Sequence, residues 1–499
     1  MPTNSTKDQK IRPKIHILDE VSCHLEDFPG HLMRQLREAF SYPVKGAFMT
    51  AACQMGVWDG KECFISDENF AYVHMIPKIL DISKRLGVFP KIQDLRDYDT
   101  DLVPDFIGVV REDFLFEETG LMLRDYQTRG INTALVKKKG TLKFATNAGK
   151  VMINVGLGKA LDPYIRTLSI VPNQHLADDT ATEMGKTSLA FVNLSSKVKK
   201  DQRSEKIREA RHVIVTKKLF TDNPDLFREY TWALVVDEVH IFGEQMANVL
   251  RYDMGHCPIR IGMTGTYPKD KRKAALITMH MGGDVLDSVS NTDLISRGFS
   301  SVPDIRMIRT VDREYQVQIE SIPFDEFEDK GIGWQMEFDY LTENKGRMKA
   351  LVDYLLALPK KNTLLVCYAQ VAKKLHALTG FDHITQETPV KERKACFHKF
   401  RDRDDYFLLG SHNTSSTGIS ENRIHRVILL DIGKDETLIL QSIGRGLRKD
   451  GSNTVLEVLD IYNDSKYGRK HAGPRKKIYK REGFDFLDSD DRIIVKHST

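Results

Sequence analysis

The chain has 499 residues, of which 41% are hydrophobic and 29% are charged, and its formal net charge is +4. This length exceeds what one hydrophobic core supports, so we expect two to four globular domains. No apolar run approaches the roughly 18 residues that a membrane helix needs. Residues 1–14 also lack the apolar stretch of a secretory signal. The composition therefore predicts a cytoplasmic protein, and its near-neutral charge means that attraction to nucleic acid must come from local patches.

Six cysteines are spread along the chain without a CxxC pair or a histidine at metal-ligand spacing. This pattern is typical of reduced thiols in a cytoplasmic protein, and it favours neither disulfides nor a zinc site. The residues are Cys23, Cys53, Cys63, Cys257, Cys367 and Cys396.

Two series of short apolar runs alternate with longer amphipathic stretches after an acidic segment near residues 94–116. The first series is TLKFAT, RTLSIVP, RHVIVT, WALVVDEV and IRIGMTGT, and the second is NTLLVCYA, DYFLLGS, RVILLDI and VLEVLDI. Such runs are typical of parallel sheets that helices cover on both faces. We therefore expect two tandem α/β domains at 113–295 and 296–465. A small mixed domain at 1–112 precedes them and a basic tail at 466–499 follows.

A phosphate-binding loop is predicted where the strand TLKFAT meets a helix-compatible stretch. Small residues let backbone N–H groups close around phosphates, the helix N-terminus adds positive potential, and a lysine reaches the terminal phosphates. Strand, loop and helix in this order predict an ATP site. The candidate residues are Thr146, Asn147, Ala148, Gly149, Lys150 and Val151.

One position in this loop departs from the pattern. Val151 stands where a Ser or Thr hydroxyl normally ligates Mg²⁺. A valine offers no oxygen, so metal binding and the rate of hydrolysis are left open. Two other Gly-Lys pairs are expected to be incidental. Gly158-Lys159 falls inside the following helix, and Gly185-Lys186-Thr187 follows a helical stretch rather than a strand.

Two carboxylates end a buried strand at WALVVDEVH. Asp237 and Glu238 follow five apolar residues, so they lie where α/β sheets bind ligands. We expect Asp237 to hold Mg²⁺ and Glu238 to orient or deprotonate the attacking water. A helix cap after the strand is the alternative interpretation of this Asp-Glu pair.

Two shorter motifs flank these elements. Hydroxyls at the end of the next strand are expected to link the nucleotide site to a nucleic-acid groove, and they belong to Thr264-Gly265-Thr266. Upstream, LRDYQ contains Arg124, Tyr126 and Gln127. A Gln amide matches the donor and acceptor of an adenine edge and an aromatic ring stacks on it, although an exposed helix start is the alternative.

The second α/β series carries the pattern QxxGRxxR at Gln441, Arg445 and Arg448. Residues three apart share one face of a helix. Two guanidinium groups on that face suit an arginine finger that stabilises the γ-phosphate, so we predict a catalytic role for this motif.

Polar loops and a basic run are the candidate nucleic-acid contacts. The loops follow strands at Pro172, at Thr216-Lys217 and at Thr417-Gly418. Gly418 is also a candidate residue for binding the nucleotide. The run KYGRKHAGPRKKIYKR includes Lys476 and Lys477. A solvated terminal segment is its simpler interpretation, whereas basic residues interleaved with aromatics favour a phosphate contact.

Taken in order, these motifs resemble superfamily 2 helicases along nearly all of residues 123–460. ATNAGK, SSTGIS and QSIGRGLRKDG are similar to phage branch-migration helicases of the UvsW type, as is VWDGK in the N-terminal region. The resemblance implies two tandem RecA-like domains of the P-loop NTPase class behind a small α+β domain. It also implies an ATP-dependent enzyme that remodels branched DNA, namely Holliday junctions, stalled forks and R-loops, during phage recombination and repair, without a membrane partner. The sequence leaves the oligomeric state open and favours a monomer.

Two alternatives remain open at this stage. An RNA helicase would share the same motifs, although DEVH with a phage-like N-terminal region argues against it. An ATP-binding module that hydrolyses poorly and grips or anneals branched nucleic acid is the other alternative, and Val151 supports it.

Overall fold

The computed structural model describes residues 12–99, 102–105, 107–194, 198–241, 243–322, 332–415, 423–449 and 454–496. The chain forms two compact units. The first contains the described residues up to Phe144 together with Gly149–Ser288, and the second contains Ala145–Ala148 and the described residues from Val289 onward.

The N-terminal part of the first unit is a mixed sheet in the order β5-β2-β1-β6, with a separate β3-β4 ribbon. Strand β1 pairs antiparallel with β2 and parallel with β6. One core joins this sheet to Ala275 and Met279 in the rest of the first unit, so the N-terminal sheet is packed into that unit. Its elements are β1 Lys14–Ile17, β2 Ser22–Glu26, α1 Gly30–Ala39, β3 Ser41–Pro43, α2 Ala51–Gln54, β4 Lys61–Cys63, β5 Phe70–Tyr72, α3 Ile76–Arg85 and β6 Lys91–Asp94.

A seven-stranded sheet in the order β13-β7-β12-β11-β8-β10-β9 forms the rest of the first unit. The pairings of β7, β12, β11, β8, β10 and β9 are parallel. All six residues of WALVVD are buried, because helices cover both faces of the sheet. The strands are β7 Lys139–Phe144, β8 Arg166–Val171, β9 Phe191–Asn193, β10 His212–Thr216, β11 Trp232–Asp237, β12 Ile259–Thr264 and β13 Val285–Val289.

Helices precede the first of these strands and lie between the later ones. They are α4 Phe116–Thr119, α5 Asp125–Lys137, α6 Lys150–Leu161, α7 Gln174–Met184, α8 Arg203–Glu209, α9 Lys217–Asp222, α10 Asp225–Arg228, α11 Glu244–Asn248 and α12 Lys271–Met281. Both incidental Gly-Lys pairs behave as expected, since Lys159 lies inside α6 and Gly185 ends α7.

The second unit has a parallel seven-stranded sheet in the order β16-β17-β15-β18-β19-β14-β20. Its strands are β14 Val302–Val311, β15 Thr363–Cys367, β16 Asp382–Ile384, β17 Phe407–Ser411, β18 Arg426–Leu430, β19 Val455–Asn463 and β20 Phe486–Ile494. Its helices are α13 Asn291–Ser296, α14 Arg313–Glu320, α15 Ile332–Glu343, α16 Lys345–Ala357, α17 Ala369–Thr379, α18 Val390–Asp402, α19 His412–Ser415, α20 Glu436–Gly446 and α21 Lys466–Arg481. The predicted fold class, two RecA-like sheets behind an α+β region, is confirmed.

The structure differs from the sequence prediction at the C-terminus. Where we expected a basic tail, α21 packs on the second unit and β20 extends its sheet beside β14. The contact that holds α21 joins Arg475 to Asp460, which no local pattern reveals. None of the helices in the described part of the chain has the length and apolar character that a membrane span requires.

Candidate nucleotide-binding site

The predicted site residues of the first unit gather at the carboxyl edge of its sheet. Register places Asp237 beside Met263, so Asp237 and Thr264 end adjacent strands. Thr264 in turn pairs with Lys143, one residue before the end of β7. Parallel strands present their carboxyl ends at one edge, where α/β sheets bind ligands. The edge therefore joins the loop after β7 to both carboxylates and to the Thr-Gly-Thr motif.

Helix α6 begins at Lys150, directly after Gly149 in the left-handed conformation (φ 73°). A Cβ at this glycine would lie 2.5 Å from Gln127 Nε2, so a side chain would not fit without displacing the amide. The ammonium of Lys150 lies 3.3 Å from Glu238 Oε1 and is largely buried. The helix N-terminus and this lysine form the phosphate-facing part of the site.

The motif before α5 lies against the same loop. The Gln127 amide donates to Gly149 O at 3.4 Å and its Oε1 accepts from Arg124 N at 2.8 Å. Tyr126 is completely buried and packs edge-on against Phe144. The predicted stacking of Tyr126 on adenine is therefore wrong, because its ring is buried in the core, and its hydroxyl accepts a hydrogen bond from Arg124 Nη1 at 2.7 Å.

The two carboxylates have opposite electrostatic environments. Burial and the neighbouring Glu238 carboxylate raise the pKa of Asp237 above its usual value. Burial also acts to raise the pKa of Glu238, but the Lys150 ammonium and His240 outweigh it and hold that pKa below its usual value. Glu238 also adopts a left-handed backbone (φ 50°), which is strained for a non-glycine residue. Glu238 is thus an anion at neutral pH, held in a fixed position.

His240 connects these groups to the Thr-Gly-Thr motif. Its Nδ1 lies 3.1 Å from Glu238 Oε2 and 2.9 Å from Thr264 Oγ1. Thr264 Oγ1 also donates to Thr266 O at 2.8 Å. Lys150, Glu238, His240, Thr264 and Thr266 therefore form one chain of polar contacts, in which the step from Glu238 Oε2 to His240 is a close approach and not a hydrogen bond. We expected the threonines to couple two sites but did not identify His240 as the link, although it follows the acidic pair in DEVH.

The donor set for a metal is small. Among the residues that the structure describes, no three His, Cys, Asp or Glu side chains form a metal cluster. Mg²⁺ commonly takes one or two protein carboxylates and fills its remaining positions with phosphate oxygens and water. The buried carboxylate of Asp237 fits that role, whereas Val151 on the first turn of α6 contributes no oxygen.

The loop residues before Gly149 are part of the second unit. There Asn147 Nδ2 donates to Ser300 Oγ at 2.8 Å and to Leu447 O at 3.2 Å. A Cβ at Gly444 would lie 3.1 Å from Thr146 Cβ, which explains a glycine at that position. The predicted loop is thus divided, with Thr146, Asn147 and Ala148 in the second unit and Gly149, Lys150 and Val151 in the first.

The QxxGRxxR motif lies at the end of α20. Gln441 and Arg445 are helical and Arg445 is buried, but the helix ends at Gly446. Arg448 follows the helix and forms a β-bridge with Ser300. The prediction that both arginines share one helix face is therefore wrong, because the chain turns before Arg448.

The candidate nucleic-acid residues of the first unit lie at its carboxyl edge. Val171 pairs with Thr216, so Pro172 and Thr216 are neighbours there. Thr216 caps α9 by accepting from Leu219 N, and Lys217 donates to Ile241 O at 2.7 Å. Burial lowers the pKa of Lys217.

In the second unit, Lys476 forms an ion pair with Asp488, whereas Lys477 is exposed. Thr417 and Gly418 lie outside the described residues.

Comparison with known proteins places two domain families on this chain. Residues 120–269 match the family described as type III restriction enzyme, res subunit (ResIII), and residues 346–450 match the helicase conserved C-terminal domain. With the two sheets and the polar chain from Lys150 to Thr266, these matches define an ATP-dependent helicase of superfamily 2, an enzyme that acts on nucleic acid.

The chain is similar to the ATP-dependent DNA helicase uvsW of Enterobacteria phage T4. Identity is 22% over 490 residues, which covers 94% of this chain and 93% of the relative. Two crystal structures of T4 UvsW are 18% identical, with TM-scores of 0.45 and 0.44, and they match 97% and 56% of this chain and all of their own length. The resemblance to UvsW-type helicases is confirmed by the two domain families and by the relative aligned over 94% of this chain.

Proposed function

We propose that this helicase uses ATP to drive branch migration and unwinding of branched DNA, including Holliday junctions, forks and R-loops, in phage recombination, replication and repair. The observation that carries the proposal is the contact chain from Lys150 through Glu238 and His240 to Thr264. These contacts connect the nucleotide site to the Thr-Gly-Thr motif at the carboxyl end of β12. The relative named as a DNA helicase, aligned over 94% of this chain, supports DNA as the substrate.

In the proposed reaction, the phosphates of ATP compete with Glu238 for the Lys150 ammonium. Binding therefore releases one carboxylate oxygen of Glu238, which then orients a water molecule toward the γ-phosphate. Because Glu238 is anionic at neutral pH, it accepts a hydrogen bond from that water without first losing a proton. His240 follows the movement of Glu238 through its second oxygen and transfers it to Thr264.

Asp237 is the residue that would hold Mg²⁺ in this site. Bound Mg²⁺ would neutralise phosphate charge, and most of its ligands would come from ATP and water because residue 151 is a valine. We infer that Arg445 and Arg448 stabilise the γ-phosphate, although only Arg445 is helical.

The residue roles outside the nucleotide site extend the same proposal. Pro172, Thr216, Lys217 and Thr417 contact the DNA backbone, and the N-terminal region 1–112 is an accessory DNA-binding domain. We infer that the protein acts as a monomer in the cytoplasm of the host cell, on DNA and on RNA–DNA hybrids.

A second candidate function has one specific observation in its favour. Val151 removes the hydroxyl that normally ligates Mg²⁺, which favours a module that binds ATP but hydrolyses it poorly while it holds or anneals branched nucleic acid. The two candidate functions differ in the rate of ATP hydrolysis rather than in the binding of ATP and nucleic acid.

An ATPase assay with and without forked DNA separates them. We expect forked DNA to stimulate hydrolysis by the wild-type chain and Lys150→Ala to abolish it. Slow hydrolysis that Val151→Thr restores would favour the impaired module. If DNA stimulates ATP hydrolysis by neither the wild type nor the Val151→Thr variant, the helicase proposal itself is contradicted.

A further inference from the structure

Helix α21 presents six of its eight Lys and Arg residues on one face. Its exposed Lys and Arg residues recur at helical spacing. At about 100° per residue they fall within an arc of roughly 120° around the helix axis. The buried face consists of Ala472, Arg475, Ile478 and Tyr479. We call the exposed cations the basic stripe: Lys466, Arg469, Lys470, Lys477, Lys480 and Arg481.

The sequence of α21 disfavours a helix in isolation. It contains eight Lys or Arg residues, no Asp or Glu, and an internal proline, Pro474. Like charges four residues apart repel each other, as at Lys466 and Lys470 or at Lys477 and Arg481. Cations in the first turns also oppose the helix macrodipole, which is positive at that end.

Contacts on the buried face hold the helix in place. Arg475 Nε and Nη2 each donate to Asp460 at 2.9 Å, and the Tyr479 hydroxyl donates to the same carboxylate at 2.8 Å. Ser465 caps the N-terminus by accepting from Gly468 N. The fold therefore maintains a line of like charges that its local sequence opposes, and such conflicts are typical of functional sites.

Carboxylates of the protein compensate only part of the stripe. Arg469 pairs with Asp464 at 2.7 Å, and Arg481 pairs with Glu436. Within the described ranges, no carboxylate pairs with Lys477 or Lys480, and both are exposed. The stripe extends about 22 Å at 1.5 Å per residue, a length over which a DNA strand presents several phosphates.

We propose that the basic stripe binds the phosphate backbone of the DNA on which this helicase acts. The inference rests on the proposed function for its ligand and adds the surface that holds it. Phosphates supply the anions that neutralise the stripe, and their attraction depends on salt rather than on sequence. The indole of Trp334, 36% exposed, lies 5.9 Å from the Tyr467 ring near the N-terminal end of the stripe. An exposed ring beside cations suits a stacked base of a single strand.

The test compares two triple variants of equal charge. The stripe variant carries Lys470→Gln, Lys477→Gln and Lys480→Gln. The control carries Lys349→Gln, Lys360→Gln and Lys391→Gln, which are exposed residues elsewhere in the second unit. Glutamine has nearly the helix propensity of lysine, so α21 is preserved. Fluorescence anisotropy with forked DNA between 50 and 200 mM salt measures the dissociation constant of each full-length protein.

We expect the stripe variant to bind forked DNA on the order of tenfold more weakly at low salt. The slope of log K against log salt should also fall by about 2.7 for three duplex contacts, or by about 2 for three single-strand contacts. The control should keep the wild-type slope. Binding of single-stranded and duplex oligonucleotides of equal length identifies which form of DNA lies on the stripe. If a base stacks on Trp334, Trp334→Ala weakens the binding of single-stranded DNA only.

A third variant carries Lys470→Arg, Lys477→Arg and Lys480→Arg. It changes the side chains but keeps the positive charge of the stripe, so it should retain DNA binding. Equal slopes for the stripe variant and the control would overturn the proposal, as would loss of binding in the arginine variant. If either of these results is found while forked DNA still stimulates ATP hydrolysis by the wild type, only this inference fails. If wild type binds no DNA, the proposed function fails as well.

Discussion

Lys150 Nζ lies 3.3 Å from Glu238 Oε1 across the carboxyl edge of the first sheet. The pair joins the first residue of α6 to the residue that follows β11, two elements that are 88 positions apart in sequence. The Lys150 ammonium holds the Glu238 carboxylate in its charged form, so the lysine and the anionic carboxylate are ready for an incoming nucleotide.

Glu238→Gln is expected to reduce ATP hydrolysis by about 10²- to 10⁴-fold, the range typical of losing a general base. The amide keeps the size of the side chain but cannot accept a proton, so ATP binding should persist. Steady-state hydrolysis and the binding of a fluorescent ATP analogue measure the two effects. The exposed residue Glu244 gives the control Glu244→Gln, and wild-type turnover in Glu238→Gln would contradict the assignment.

His240→Ala is expected to separate hydrolysis from DNA remodelling. The substitution removes the side chain that lies between Glu238 and Thr264, so basal hydrolysis should continue while junction movement per ATP falls at least severalfold. Branch migration and phosphate release, measured in the same reaction, give that ratio. His31→Ala, at an exposed position, is the control, and an unchanged ratio would show that His240 does not transmit the movement.

Val151→Thr is expected to lower the Mg²⁺ concentration that gives half-maximal hydrolysis, because a hydroxyl adds a ligand at the position where P-loop enzymes use one. An increase of roughly tenfold in metal affinity corresponds to one additional favourable ligand of about 1.4 kcal/mol. Titration of activity against Mg²⁺ measures it, with Val151→Ala as the control that changes size without adding oxygen. An identical titration for wild type and Val151→Thr would show that the valine is not what limits metal binding.

Glu20→Gln is expected to destabilise the first unit at neutral pH by about 1–3 kcal/mol, the range for hydrogen bonds to charged groups. Glu20 is buried and accepts from Arg96, Tyr98 and Lys139. Burial acts to raise its pKa, but Lys139 and Arg96 outweigh burial, and the net pKa is lowered from 4.5.

A lowered folded-state pKa contributes stability above the unfolded value, and that contribution is lost as pH falls through the folded value. The difference in Tm between wild type and Glu20→Gln should therefore be largest near pH 7 and shrink below about pH 4.5. The exposed residue Glu68 gives the control Glu68→Gln. A Tm difference that grows on acidification would contradict the assigned ion pairs.

The parts of the fold that the sequence predicted are those with local signals. Buried apolar runs that end in polar residues identified β7, β11 and β12 together with the loop at Gly149 and the carboxylates Asp237 and Glu238. These signals work because a parallel strand covered on both faces must be apolar and its carboxyl end must be polar.

The errors arose where distant contacts override local pattern. Tyr126 follows a polar helix start, yet it fills the core against Phe144. Helix α21 has proline and dense positive charge, so its sequence favours a tail, whereas contacts with distant residues, such as those of Arg475 and Tyr479 with Asp460, hold it as a helix. The pairing of Arg448 with Ser300 is equally non-local.

ATP hydrolysis by the full chain, measured with forked DNA at increasing concentration, shows whether this protein is a DNA-driven motor. We expect the rate to rise to saturation with DNA in wild type and to stay at background in Lys150→Ala at every DNA concentration. A wild-type rate that does not change with DNA, or a Lys150→Ala rate equal to that of wild type, would contradict it.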